Sequence, residues 1–83
     1  MREQSLLNRV TIDPDVMTGK PTISGLRITV EHILRALANG CTTKELIEDY
    51  PDLEPEDIQA VLLYATKIVS HERVFKLGIG ASP

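Results

Sequence analysis

GKPTISGLRITVEHILRALANG, residues 19–40, passes without a linker from an extended, glycine-punctuated segment into an amphipathic helix, and the rest of the chain is arranged around that junction. Thr29 stands where an N-cap belongs, its hydroxyl able to accept from the free amides of the first turn. Ile28 before it and Ile33 after it occupy the two positions of a hydrophobic staple, which fixes the angle of entry. Val30, Ile33, Leu34 and Leu37 then follow the i, i+3, i+4, i+7 spacing of one buried stripe, with Glu31, His32, Arg35 and Asn39 elsewhere. Gly40 ends the helix, because glycine takes the left-handed C′ conformation at least cost.

Upstream, Met1 to Asn8 has no clear period and receives no assignment beyond a frayed end or a helical turn. Arg9 to Ile12 alternates, which predicts a short strand with Val10 and Ile12 on one face. Asp13-Pro14-Asp15 and Thr18-Gly19 are turn chemistry, and Pro21 to Ile23 is a second extended piece, paired with the first. Ser24-Gly25 breaks it before Leu26 to Ile28 runs into the helix.

Downstream, Thr42 and Glu45 form a capping box, flanked by Cys41 and Leu46 as a staple. The helix they open runs from Thr43 to Tyr50, with Leu46, Ile47 and Tyr50 inward, and Pro51 stops it. Pro55 suits the first position of a third, longest helix, with Leu53 and Ile58 as its staple. In that helix Ile58, Val61, Leu62, Ala65, Ile68 and Val69 read as one continuous inward stripe, and Glu56, Gln59, Ala60, Leu63 and Lys67 as the opposite side. The fold class is therefore mainly α: a three-helix, helix-turn-helix-like bundle behind a short N-terminal β-hairpin. It is one domain, with the hairpin over 9–28, the helical body over 29–72 and a loose tail over 73–83.

The 83 residues include one cysteine, no tryptophan and 42% hydrophobic residues, so the core is aliphatic and no internal disulfide or paired-cysteine zinc site is available. The opening MREQSLLNRV lacks the apolar run of a signal peptide, and Ala60 to Ala65 is far shorter than the roughly 20 residues that span a bilayer; a cytoplasmic protein without membrane association is expected. A chain this small hides only roughly 60–70% of its unfolded surface, so a homodimer is expected, formed through the N-terminal ribbon or an exposed helix face. Net charge is −3 and unevenly divided. Residues 1–41 carry Arg2, Arg9, Lys20, Arg27 and Arg35 against Glu3, Asp13, Asp15 and Glu31, whereas residues 42–83 carry four cations against eight acids. Phosphate contacts are thus expected chiefly from the first half.

No catalytic constellation is legible. His32 and His71 lie on different helices without neighbouring ligands at metal-binding spacing, Cys41 fills a staple position, and the glycines match neither GxGxxG nor GxxxxGK[ST]. No enzyme activity, cofactor, metal site or small-molecule substrate is expected.

The runs Arg9-Val10-Thr11-Ile12-Asp13-Pro14, Gly19-Lys20-Pro21-Thr22-Ile23-Ser24-Gly25-Leu26-Arg27-Ile28 and Tyr50-Pro51-Asp52-Leu53 resemble, in order and spacing, the domain-of-unknown-function 433 family over about residues 9–70. That resemblance implies a bacterial or archaeal protein with a helix-turn-helix-like body, many members being similar to VapB-type antitoxins encoded beside a PIN-like nuclease toxin. It thereby implies toxin binding and regulation of transcription at operator DNA. In a helix-turn-helix the third predicted helix enters the major groove. Candidate DNA contacts are Lys20 and Arg27 on the ribbon, Lys44, Gln59 and Lys67 on the helices, with Gln59 able to pair with adenine; the candidate partner surface is Leu63 with Tyr64. The alternative reading is a protein-interaction module that never touches DNA.

Overall fold

The computed structural model describes residues 2–71. Four helices and a two-stranded antiparallel ribbon make up the fold: α1 (Arg2–Leu7), β1 (Val10–Thr11), β2 (Thr22–Ile23), α2 (Val30–Ala38), α3 (Thr43–Asp49) and α4 (Pro55–His71). The mainly helical body behind a short hairpin is as the sequence predicts, and the predicted tail over 73–83 lies outside the described residues.

The ribbon pairs Val10 with Ile23 and Thr11 with Thr22. The predicted strand is cut to two residues, and Ile12, expected on one face with Val10, is 59% exposed whereas Val10 packs against the core. The cause is the turn that follows: Asp13 Oδ1 accepts from the Asp15 amide (2.9 Å) and the Asp13 carbonyl from the Val16 amide (2.9 Å), which pulls the chain out of the ladder. The return passes through Met17, Thr18 and Gly19, all at positive φ. Thr22 also bridges to Thr29, and the Val30 amide donates to the Pro21 carbonyl, so residues 21–30 fold back on themselves around Gly25 (φ 81°) and deliver the chain to α2.

The helix ends are built as the sequence indicates. Thr29 accepts from the His32 amide at 3.0 Å. At the other end the Cys41 amide reaches the Ala36 carbonyl and the Gly40 amide the Leu37 carbonyl, a Schellman closure that places Gly40 at φ 93°. Both bonds of the Thr42–Glu45 capping box form, and Tyr50 caps α3 one residue past its last helical position. Ile23, Val30, Ile33, Leu46, Leu53, Ile58 and Val61 gather into one core, to which each predicted staple contributes.

Two features differ from the sequence reading. Arg2–Leu7 is a helix and packs along α4, where Glu3 pairs with Lys67 at 3.2 Å. Of the α4 residues predicted to be outer, Glu56, Gln59 and Lys67 are exposed, but Ala60 is fully buried and Leu63 half-buried. Conversely Leu62, Ile68 and Val69, predicted to be inward, are 48%, 43% and 62% exposed. Periodicity records which residues share a face; it does not record whether another element lies over that face. Among the described residues, no helix is long and apolar enough to cross a membrane.

Candidate interaction surfaces

Three surfaces differ in their chemistry. The first lies around the start of α2. Glu31 receives Lys20 Nζ at 3.1 Å and Arg35 Nη2 at 2.7 Å, which makes a cation–anion–cation chain from the ribbon to the helix. Lys20 first and Arg35 second hold the Glu31 carboxyl below the usual carboxylate value. Met17, Thr29 and His32 separate two shallow cavities here, one of about 420 Å³ bordered by Lys20 and Arg35 and one of about 220 Å³ bordered by Arg27 and Tyr50. His32 Nε2 lies 3.0 Å from the Tyr50 hydroxyl, with the two rings edge to face. Lys20 and Arg27, 7 residues apart by their numbers, thus flank adjoining hollows on one edge of the molecule.

The second surface is acidic. Along α3 and into the start of α4, Glu45, Glu48, Asp49, Asp52 and Glu56 are exposed, and Lys44 is the sole cation between Thr43 and Gln59. The first turn of α4 is closed from within: Asp57 Oδ2 accepts from the Glu54 amide at 2.8 Å, and Arg9 Nη1 reaches Asp57 Oδ1 at 3.0 Å and Glu54 Oε1 at 2.8 Å. Cys41 is half-buried at the edge of this face, its Sγ against the Thr42 carbonyl; burial, with Glu45 and Asp49 nearby, pushes the thiol pKa up.

The third surface is apolar. Between α2 and α4 runs a groove of about 560 Å³ whose walls include Val30, Leu34 and Ala38 on one side and Tyr64, Ala65 and Ile68 on the other.

The candidate site residues scatter over these surfaces. Lys20 and Arg27 are brought to one edge, and Lys20 is already engaged by Glu31. Lys44 and Gln59 are exposed on α3 and α4, amid the acids. Lys67 is turned to α1 and held by Glu3. Tyr64 lines the apolar groove, whereas Leu63 is half-buried on the neighbouring side. Arg35 and Glu31 belong to the basic edge and were missed, although their i, i+4 spacing is legible; the groove itself, which needs two helices side by side, is not. Among the described residues, no group of three or more His, Cys, Asp or Glu side chains is placed to hold a metal ion.

Residues 10–65 match the family described as Protein of unknown function (DUF433), and the chain belongs to that family. It is 32% identical over 56 residues to the Uncharacterized protein y4eO of Sinorhizobium fredii; the match takes in 68% of this chain but only 25% of that relative's length. Its fold is similar to the crystal structure of a DUF433 member protein from Anabaena variabilis, with a TM-score of 0.72, 32% identity, and coverage of 82% of this chain and 67% of that one.

Proposed function

We propose that the chain is an antitoxin-like protein of a prokaryotic toxin–antitoxin pair, acting in the cytoplasm by binding a PIN-like nuclease through the acidic face of α3 and the turn into α4. The observation that carries this reading is the segregation of charge along the chain: between Thr43 and Gln59 the exposed carboxylates are Glu45, Glu48, Asp49, Asp52, Glu54 and Glu56, and Lys44 is the one cation of that stretch. A nuclease must present cations to a polyanionic substrate, and a surface with this density of carboxylates competes for those cations and steers the two proteins together.

Regulation of transcription at operator DNA is the second reading, favoured by the convergence of Lys20 and Arg27 at the start of α2. In that case phosphates are met by the ribbon edge, because the first turn of α4, which would approach base edges in a helix-turn-helix, is acidic and bound to Arg9.

Co-expression with the product of the adjacent reading frame tests the first reading. Stoichiometric binding that weakens as salt rises, with loss of at least tenfold in affinity for Glu48→Lys/Asp49→Lys and silencing of nuclease activity by the wild-type chain, is expected. Undiminished cleavage in excess chain overturns it. An electrophoretic shift with the upstream DNA, abolished by Lys20→Ala/Arg27→Ala, supports the second; a blank lane leaves a protein-interaction module alone.

A further inference from the structure

The outward stripe of α4 is the feature the single chain does not explain. Ile58 and Val61 are buried, yet Leu62, Ile68 and Val69 on the same helix stand open beside an apolar groove. Isolated exposed aliphatic residues are ordinary, but Ile68 and Val69 themselves line the groove with Leu34, Ala38, Tyr64 and Ala65, and Leu62 stands three residues before Ala65 on the same helix, an arrangement of the kind that marks an interface.

We propose that this face is closed by a second copy of the chain, the C-terminal halves of the two α4 helices crossing antiparallel so that the Leu62–Val69 ridge of each lies in the α2/α4 groove of the other. Ridge and groove adjoin on one protomer, so a two-fold axis between them makes the surface complementary to itself. Charge favours this occupant over a strongly charged one. Between Leu62 and Val69 the single ionised side chain is Lys67, which is turned away to Glu3 on α1 at 3.2 Å. Two copies of α4 can therefore meet without like charges facing each other, whereas a cationic or anionic partner finds no counter-charge on the ridge. On the α2 rim Glu31 is already paired with Lys20 and Arg35, so closing the groove strands no lone carboxylate. Ala65, half-buried in the middle of the ridge, is small enough to let the helix axes approach to roughly 8–10 Å. The acidic face of α3 stays outside this contact.

Sedimentation equilibrium and light scattering over a micromolar concentration series test it. The wild-type chain is expected to be a dimer, and Leu62→Glu and Val69→Glu, both at exposed positions, are expected to raise the dimer dissociation constant roughly a hundredfold or more, because each buries two like charges per dimer. Circular dichroism checks that these variants keep the wild-type helix content. Ala65→Cys in a Cys41→Ser background supplies a readout that does not depend on them: oxidation should yield a covalent dimer, reversed by reductant. A wild-type chain that stays monomeric throughout the series overturns the proposal. So does a dimer that survives both glutamates, or an Ala65→Cys variant that fails to cross-link. None of these outcomes bears on nuclease binding, which is measured separately.

Discussion

Arg9 and Asp57 are separated by 48 residues in the chain and by 3.0 Å in space, the guanidinium closing on a carboxylate that also caps α4 through the Glu54 amide. Asp57 is buried, so its two oxygens are each committed: one to the helix end, one to the ribbon. The pair joins the hairpin to the longest helix, and this positions the acidic α3–α4 turn against the ribbon.

Asp57→Ala removes the cap and leaves Arg9 with Glu54 alone. A loss of about 1–3 kcal/mol in unfolding free energy is expected, read from the urea midpoint at unchanged slope. Asp57→Asn, which keeps an acceptor for the amide, should lose less. In double-mutant cycles with Arg9→Ala, Asp57 should couple more strongly than Glu54, because their side chains are 7% and 62% exposed and solvent screens the second pair. Equal coupling would remove the joining role assigned to Asp57.

The pH dependence of stability on the acid side should carry a contribution from Glu31. Lys20 and then Arg35 lower its folded-state pKa below the usual 4.5. A group depressed in the folded state contributes stability that is fully present above its unfolded value and is lost as pH falls through the folded one. Glu31→Gln should therefore be less stable than wild type at pH 7, with the two curves converging once the pH falls below the folded value. All three side chains are exposed, so the difference should shrink in high salt. A difference that persists unchanged at pH 3 would contradict it.

Cys41 should be a slow nucleophile. Burial, followed by Glu45 and Asp49, raises its pKa above the ordinary 9.0, so at pH 8 it carries less thiolate than a free thiol. Alkylation by iodoacetamide at that pH should run severalfold slower than for glutathione, and Glu45→Gln should narrow the gap unless loss of the capping box loosens α3, which circular dichroism would register. Alkylation as fast as the free thiol would show the half-buried position to be open.

The elements that could be read from the sequence are those whose cause is local. Thr29, Thr42, Gly40 and Pro55 act within one turn of where they stand, and each marks a helix end that the structure retains. Ile33 and Leu46 follow periods that put them in the core. Arg9 with Asp57, Lys20 with Glu31 and Glu3 with Lys67 have partners 48, 11 and 64 residues away, and the periodicity of a single helix or strand relates none of them. The α4 stripe fails for the same reason in reverse: Ile68 and Val69 have the spacing of core residues, but α2 and α3 are too short to cover them. The acidic surface was visible as composition; the basic edge, which needs the ribbon folded against α2, was not.

The turn before β2 stores strain that a single substitution should release. Met17 and Thr18 lie at φ 49° and 55°, the region that L-residues leave to glycine, and a β-branched side chain such as that of Thr18 is the worst suited to it. The conformation is held from both sides: the Lys20 amide donates to the Met17 carbonyl at 3.1 Å, the Gly19 amide to the Val16 carbonyl at 3.0 Å, and the Thr18 hydroxyl to the Met17 carbonyl at 2.6 Å. Left-handed backbone costs an ordinary residue about 1–2 kcal/mol, and glycine gives back about 0.5–1 kcal/mol of that through its larger unfolded-state entropy. Thr18→Gly should therefore raise stability by up to about 1 kcal/mol, despite losing an exposed hydroxyl contact, while Gly19→Ala, at φ 81°, should lower it. Opposite signs at adjacent positions in the same urea titration are the signature. If Thr18→Gly destabilises instead, the hydroxyl outweighs the strain, and the turn is held by its side chain and not by the closures on either side of it.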